Sequence, residues 1–160
     1  MDVEPDQKKI ERLQQVLDAS GAAYKILAHA ETVTSAEDGV EKGFGALSVM
    51  APTLVLKTET GWLVAVIGGG TRLSYKKIKQ GLGLKNISLA TPEQVLEATG
   101  AGVGTVSLVN PGLPTIIDQR LLEQDMVYGG CGVPQRTLCI RAADLVAVTG
   151  ARVFDFTELK

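Results

Sequence analysis

The chain has 160 residues, 45% of them hydrophobic and 21% charged, with a formal net charge of −2. That size and balance suit one globular domain with its own core, and they argue against a protein that holds nucleic acid through a broad positive field. The start, MDVEPDQKKIERLQQ, is acidic and polar, and the longest apolar run, Trp62 to Ile67, is far too short for a membrane span, so a soluble cytoplasmic protein without a membrane partner is expected.

The first helix is expected over residues 6–20, since Ile10, Leu13, Val16 and Leu17 share one face at helical spacing, with Gly21 just past its end. "AYKIL" reads as a short strand. In "TSAED", Ser35 is placed to cap a second helix that fades by Gly43 or Gly45. "TLVLK" and "WLVAVI", joined by "TETG", form the clearest hairpin, and a helix follows from about Ser74 to Gln80. "NISLA" is a weaker strand. "TPEQVLEATG" carries a full set of helix signals: Thr91 as cap, Pro92 at the first helical position, Gln94 to complete the box, and Gly100 to stop.

From Ala101 to Gly112 the chain turns to glycine and proline without periodicity, the mark of a loop that often carries function. "LPTIID", "MVYGG" and "TLCIR" supply further strands, "QRLLEQ" one or two helical turns, "AADLVAVTG" a last helix, and "ARVFDF" closes the chain. The expected fold is mixed α/β: a central mixed, largely antiparallel sheet with flanking short helices. Residues 1–160 are expected to form a single domain, with the helix over residues 6–20 packed on it.

Few residues announce chemistry. The two cysteines, Cys131 and Cys139, and the single histidine, His29, do not make a four-ligand zinc site, so no metal and no cofactor is expected. "GGGTR" lacks the lysine and hydroxyl of a phosphate loop and reads as a turn. Cys131, flanked by Gly130 and Gly132, sits where backbone N–H groups can face an anion; a thiol nucleophile with His29 as base is the lesser reading beside a structural one. His29 itself lies at a strand end near a helix start, and Asp118 closes "LPTIID". From Gly61 to Pro92 the chain has five basic residues, Arg72, Lys76, Lys77, Lys79 and Lys85, and no acid, which suits a local anionic partner or a solvated helix face.

"SAED" opening a helix, a hairpin ending "LVAVI", then "TRLSYKKI", "PEQVLEATG", the glycine loop, "LPTIID", "VYGG" and "DLVAVTGARVFDF" follow one another in an order that resembles the YbaK/ProX family of aminoacyl-tRNA deacylases, from about Tyr24 to Phe156. The resemblance implies a domain related to the editing domain of prolyl-tRNA synthetases, acting in trans on the ester of a mischarged tRNA of the cysteinyl, alanyl or prolyl type, without a metal. It implies tRNA as partner through its aminoacylated 3′ end, together with an aminoacyl-tRNA synthetase. On this basis Gly104, Thr105, Val106 and Ser107 are assigned to catalysis through their backbone. His29, Thr32, Pro52, Thr53, Asp118, Gly130, Cys131 and Gly132 are assigned to substrate binding, and Arg72, Lys76, Lys77 and Lys79 to tRNA.

The chain departs from the family pattern twice. A lysine usual just before "TL" is replaced by Pro52, which has neither a side-chain charge nor an N–H. Lys57 lies five residues on, and an odd separation in a regular strand sends two side chains to opposite faces unless a bulge intervenes. The loop proline expected four residues after Gly104 is Leu108. Two functions are therefore carried forward: a deacylase of altered or reduced activity, and a non-catalytic module binding an aminoacyl-tRNA 3′ end or another small ligand.

Overall fold

The computed structural model describes residues 6–29, 35–41, 43 and 45–160. Its helices are α1 (Asp6–Ser20), α2 (Ala36–Glu41), α3 (Tyr75–Leu82), α4 (Pro92–Thr99) and α5 (Ala142–Thr149). The strands are β1 (Tyr24–Ala28), β2 (Thr53–Thr58), β3 (Gly61–Val66), β4 (Thr71–Leu73), β5 (Ile87–Leu89), β6 (Thr115–Asp118), β7 (Met126–Gly129), β8 (Arg136–Arg141), β9 (Arg152–Phe154) and β10 (Thr157–Leu159). "QRLLEQ" forms a 3-10 turn over Gln119–Glu123.

A five-stranded sheet in the order β5-β2-β3-β6-β9 holds the centre. The β2–β3 hairpin and the β2–β5 pair are antiparallel, while β6 lies parallel to both β3 and β9. The fold is the mixed α/β class expected. The strands nevertheless divide further than expected: β1, β8 and β7 form a separate antiparallel sheet, and β4 pairs with β10 in a two-stranded ribbon. Neither ribbon strand is legible in the sequence, because three residues carry no periodicity and each edge depends on a partner more than eighty positions away.

Alternation along β2 and β3 sorts the core into two layers. Leu56, Leu63, Ala65 and Ile67 face Ile78 of α3 and Phe156 on one side of the sheet. On the other side Val64 and Val66 join a larger cluster with Leu138 and Ile140 of β8, Leu145 of α5, and Ile10, Leu13 and Leu17 of α1. Val55 meets Val95 of α4 and Val106 of the glycine loop in a third cluster.

The joint between the two larger sheets is the segment just before β2. Ala51 N–H donates to the Tyr128 carbonyl at 2.8 Å, while the Met50 and Pro52 carbonyls accept from Gly69 N–H at 2.8 Å and Ile67 N–H at 3.0 Å. Pro52 contributes only as an acceptor, which a residue without an N–H can do at a strand entrance.

Helix α4 has the capping box its sequence announces: Thr91 Oγ1 accepts from Gln94 N–H at 3.2 Å, and Gln94 Oε1 accepts from Thr91 N–H at 2.9 Å. Thr91→Ala removes one of these bonds, and the expected result in urea denaturation is a loss of about 1 kcal/mol with the transition slope unchanged.

Candidate functional site

A cleft of about 700 Å³ opens where the segment before β2 meets the glycine loop, the start of β8 and the N-terminal end of α2. That volume is in the range of small-molecule sites. Of the residues assigned from the sequence, His29, Pro52, Thr53, Gly104, Thr105, Val106, Gly130 and Arg72 all line it. Thr32 lies outside the described residues. Ser107, Asp118, Cys131, Gly132, Lys76, Lys77 and Lys79 are not among its lining residues.

The glycine loop is held against the end of β7 by two hydrogen bonds, Leu108 N–H to the Gly130 carbonyl and Gly132 N–H to the Thr105 carbonyl, both 2.9 Å. The approach is close. A Cβ on Gly130 would lie 2.1 Å from the Val106 carbonyl oxygen, and one on Gly129 would lie 2.6 Å from Leu108 Cγ. Leu108 is fully buried in the main core. A leucine here anchors the loop twice, through its side chain and through an N–H that a proline lacks. Thr105 N–H is taken by the Gly102 carbonyl at 3.0 Å, whereas the N–H groups of Gly104 and Val106 have no acceptor among the described residues. The loop thus retains two cleft-lining residues with uncommitted backbone donors.

Four of the assigned residues away from the cleft, Ser107, Asp118, Lys77 and Cys131, have structural roles. Ser107 Oγ accepts from Val109 N–H at 3.1 Å, and the Ser107 carbonyl accepts from Asn110 Nδ2 at 2.7 Å, which shapes the loop from behind. Asp118 is completely buried and accepts from Thr157 Oγ1 at 2.6 Å and Arg120 N–H at 3.3 Å, tying β6 to the C-terminal ribbon. Lys77 Nζ donates to Asp155 Oδ2 at 3.1 Å and to the Thr157 carbonyl at 2.8 Å, so this lysine braces α3 against the same ribbon. Cys131 belongs to the main core, and burial pushes its thiol up to about 11. A thiol held neutral in the core is no nucleophile at ordinary pH. His29, which does line the cleft, is held on both sides: its ring Nε2 lies 2.9 Å from Thr137 Oγ1, and its backbone N–H donates to the Gln135 carbonyl at 3.0 Å, joining the end of β1 to the loop before β8.

Lys57 is exposed and lines no part of the cleft. Its removal comes from position along the strand. Thr53 and Val55 share its face and do line the cleft, but Lys57 lies beyond them, opposite Trp62 and Ser88.

Several cleft residues escaped the sequence reading. Arg136, at the start of β8, and Lys160 stand with Arg72 as the basic groups of the lining. Arg72 pairs loosely with Glu158 at 3.6 Å, and Lys160 Nζ donates to Glu37 Oε1 at 3.4 Å. Among the described residues Glu37 is the acidic member of the lining, and its own backbone N–H, followed by Lys160, holds its carboxyl below the usual range. Tyr128 also lines the cleft; a hydrogen bond with Cys139 raises its phenol, which stays neutral. Among the described residues no group of three or more His, Cys, Asp or Glu side chains is arranged to hold a metal ion, and no helix is long and apolar enough to cross a membrane.

The sequence profile described as aminoacyl-tRNA editing domain matches residues 29–148. The chain is 32% identical over 129 residues to a proline–tRNA ligase of Halalkalibacterium halodurans, a match covering 80% of this chain and 20% of that one. It thus spans about a fifth of that ligase. It is 24% identical over 153 residues, 91% of each chain, to the multifunctional Ser/Thr-tRNA deacylase ProXp-y of Escherichia coli K12. Among solved structures, one described as a candidate trans-editing enzyme for prolyl tRNA synthetase matches with a TM-score of 0.83 and 26% identity, covering 98% of this chain and 99% of that one.

Gly130→Ala forces the loop and the end of β7 apart. The expected outcome is a stability loss of about 1–3 kcal/mol in denaturant titration, with a larger fall in ligand affinity for the cleft than in the folded fraction. For Cys131, alkylation by iodoacetamide at pH 8 is expected to be far slower in the folded protein than in the denatured chain, because the core position both shields the sulfur and keeps it protonated. Equal rates in the two states contradict the buried assignment.

Proposed function

The chain belongs to the aminoacyl-tRNA editing domain family, and on that premise we propose that it hydrolyses, in trans, the ester joining a wrongly attached small amino acid to the 3′ end of a tRNA. The observation that carries the reading is the glycine loop: Gly104 and Val106 line the cleft and their N–H groups have no acceptor among the described residues. Such donors suit the carbonyl oxygen of an ester, on which negative charge builds as the carbon becomes tetrahedral. Water is the nucleophile. It adds to the ester carbon and gives up a proton; the carbon–oxygen bond to the ribose then breaks, and the departing ribose oxygen takes a proton as the free amino acid leaves. The neighbouring ribose hydroxyl is placed by the substrate itself to assist that attack.

The apolar floor, with Ala51, Val55, Ile67, Val106 and Val133, suits a small side chain of the alanyl, cysteinyl or prolyl kind. Arg72, Arg136 and Lys160 are suited to the phosphates of the 3′ end. An aminoacyl-tRNA synthetase, prolyl-tRNA synthetase first among them, is the partner that would generate the mischarged substrate.

A second reading rests on Pro52. This residue lines the cleft; by the family resemblance a lysine is usual at that place, and a site without that ammonium suits a module that binds the aminoacyl end without turning it over.

The deciding experiment is deacylation of cysteinyl-, alanyl-, prolyl-, seryl- and threonyl-tRNA by the natural protein and by Pro52→Lys, against spontaneous ester hydrolysis. Turnover of at least one substrate above background by the natural protein is expected. Turnover by Pro52→Lys alone favours the binding module, and none by either protein overturns the hydrolase.

A further inference from the structure

The cleft has a second wall that the ester chemistry leaves unused. Opposite the glycine loop in the layering of the sheet stand Leu54, Leu73, Tyr75 and Leu89, all lining the cleft. Leu54 and Leu73 are half-buried against the cluster that also holds Ile78 of α3. Leu56 of β2 lies directly across from Leu89, so Leu54, Leu56 and Leu89 share the α3 side of the sheet. The outer two members of this shelf are open to solvent: Tyr75 is 39% and Leu89 55% exposed.

Tyr75 differs from the other tyrosines. Tyr24 donates its hydroxyl to Asp18 Oδ1 at 2.7 Å, and Tyr128 is engaged with Cys139, but the Tyr75 hydroxyl has no partner among the described residues. The chain is poor in aromatic residues, 4% of the total, yet it leaves this ring at the first position of α3, three residues after Arg72 on the rim of the same cleft. A flat exposed ring on an apolar shelf, continuous with a cleft whose described rim carries three basic side chains against one carboxylate, matches one ligand chemistry in particular. An unpaired nucleobase stacks on the ring while its phosphate meets the guanidinium.

We propose that Tyr75, which lines the cleft together with Leu54, Leu73 and Leu89, is the stacking platform for the terminal adenine of the tRNA 3′ end, with Arg72 holding the adjacent phosphate; the identity of the base rests on the deacylase reading above. The two walls then divide the work. The loop wall receives the ester carbonyl, and the α3 wall receives the base whose ribose carries that ester. Stacking fixes the ribose, and hence the ester carbon, relative to the loop amides. The shelf reads no sequence, because every base offers a flat face.

The test uses the full chain and three probes: adenosine 5′-monophosphate, a non-hydrolysable 3′-aminoacylamido adenosine, and the same aminoacyl ribose without its base. Binding is read by calorimetry and by NMR shifts of the 71–76 and 87–92 segments. In the natural protein both adenine compounds are expected to shift these segments, and the baseless compound is expected to bind at least about fivefold more weakly than its adenosine counterpart. Tyr75→Ala is expected to lower affinity for the adenine compounds about five- to a hundredfold and leave the baseless compound unchanged, while Tyr75→Phe keeps near-natural affinity. The ring is exposed, so a melting curve superimposable on that of the natural protein accompanies both variants. Equal affinity of natural protein and Tyr75→Ala for the adenosine compound overturns the platform, even if mischarged tRNA is hydrolysed. Tyr75-dependent binding of adenosine monophosphate in a protein that hydrolyses no aminoacyl-tRNA keeps the platform and removes the deacylase.

Discussion

Three hydrogen bonds around Met50, Ala51 and Pro52 fix the entrance to β2: one joins it to β7 of the other large sheet and two continue the β2–β3 pairing, and the cleft opens beside them. Ala51 N–H reaches across to Tyr128 of β7, while the carbonyls on either side accept from Ile67 and Gly69 beyond the end of β3. The sheets share the core between Val64 and Val66 of β3 and Leu138 and Ile140 of β8, and their backbones join at the entrance to β2. The space left open at that entrance is bounded by β2, the glycine loop and the start of β8. Pro52 belongs to this joint, where its fixed φ and missing N–H cost nothing, because only its carbonyl is used. Position 52 thus serves the architecture through its backbone.

The glycine loop depends on the same joint at one remove. Tyr128 receives the bond from Ala51, and the next two residues, Gly129 and Gly130, are the ones on which Leu108 and Val106 rest. The loop, β7 and the entrance to β2 are thereby one connected unit. A side chain at position 130 has no room, and a proline at position 108 has no N–H to donate. The conformation of residues 104–108 is held by backbone contacts and a buried leucine, and the amides of Gly104 and Val106 have no acceptor among the described residues. Preorganised backbone donors polarise a carbonyl without a charged side chain, which is the route the proposed deacylase reading relies on in a cleft that holds a proline at position 52.

Charge is arranged differently from the order in which it appears along the chain. The run from Arg72 to Lys85 looks like a basic surface, but Lys77 is spent on Asp155 and Thr157, and only Arg72 reaches the cleft. The other basic groups of the rim, Arg136 and Lys160, come from β8 and the strand-ribbon end, far apart in sequence. Asp118 and Cys131 have parallel histories. Each sits where a functional carboxylate or thiol is plausible from its neighbours, and each is turned inward by packing, the first to cap a turn and bind Thr157, the second to fill the core.

Local signals alone determined much of this protein. The capping box of α4, the β2–β3 hairpin, the face of α1 with Ile10, Leu13 and Leu17, and the structureless glycine loop all follow from interactions within a few residues, where spacing and propensity act directly. The order of these elements was enough to point to the editing-domain family. Tertiary structure decided what spacing cannot encode: that β1, β8 and β7 form their own sheet, that β4 and β10 pair, that Ser107 and Cys131 face away from the cleft, and that Tyr75, Arg136 and Lys160 face into it. Those outcomes depend on which distant backbones meet and which side of a strand they leave open. A residue's chemistry is written at its own position, but its access to a ligand is set by partners eighty or a hundred positions away.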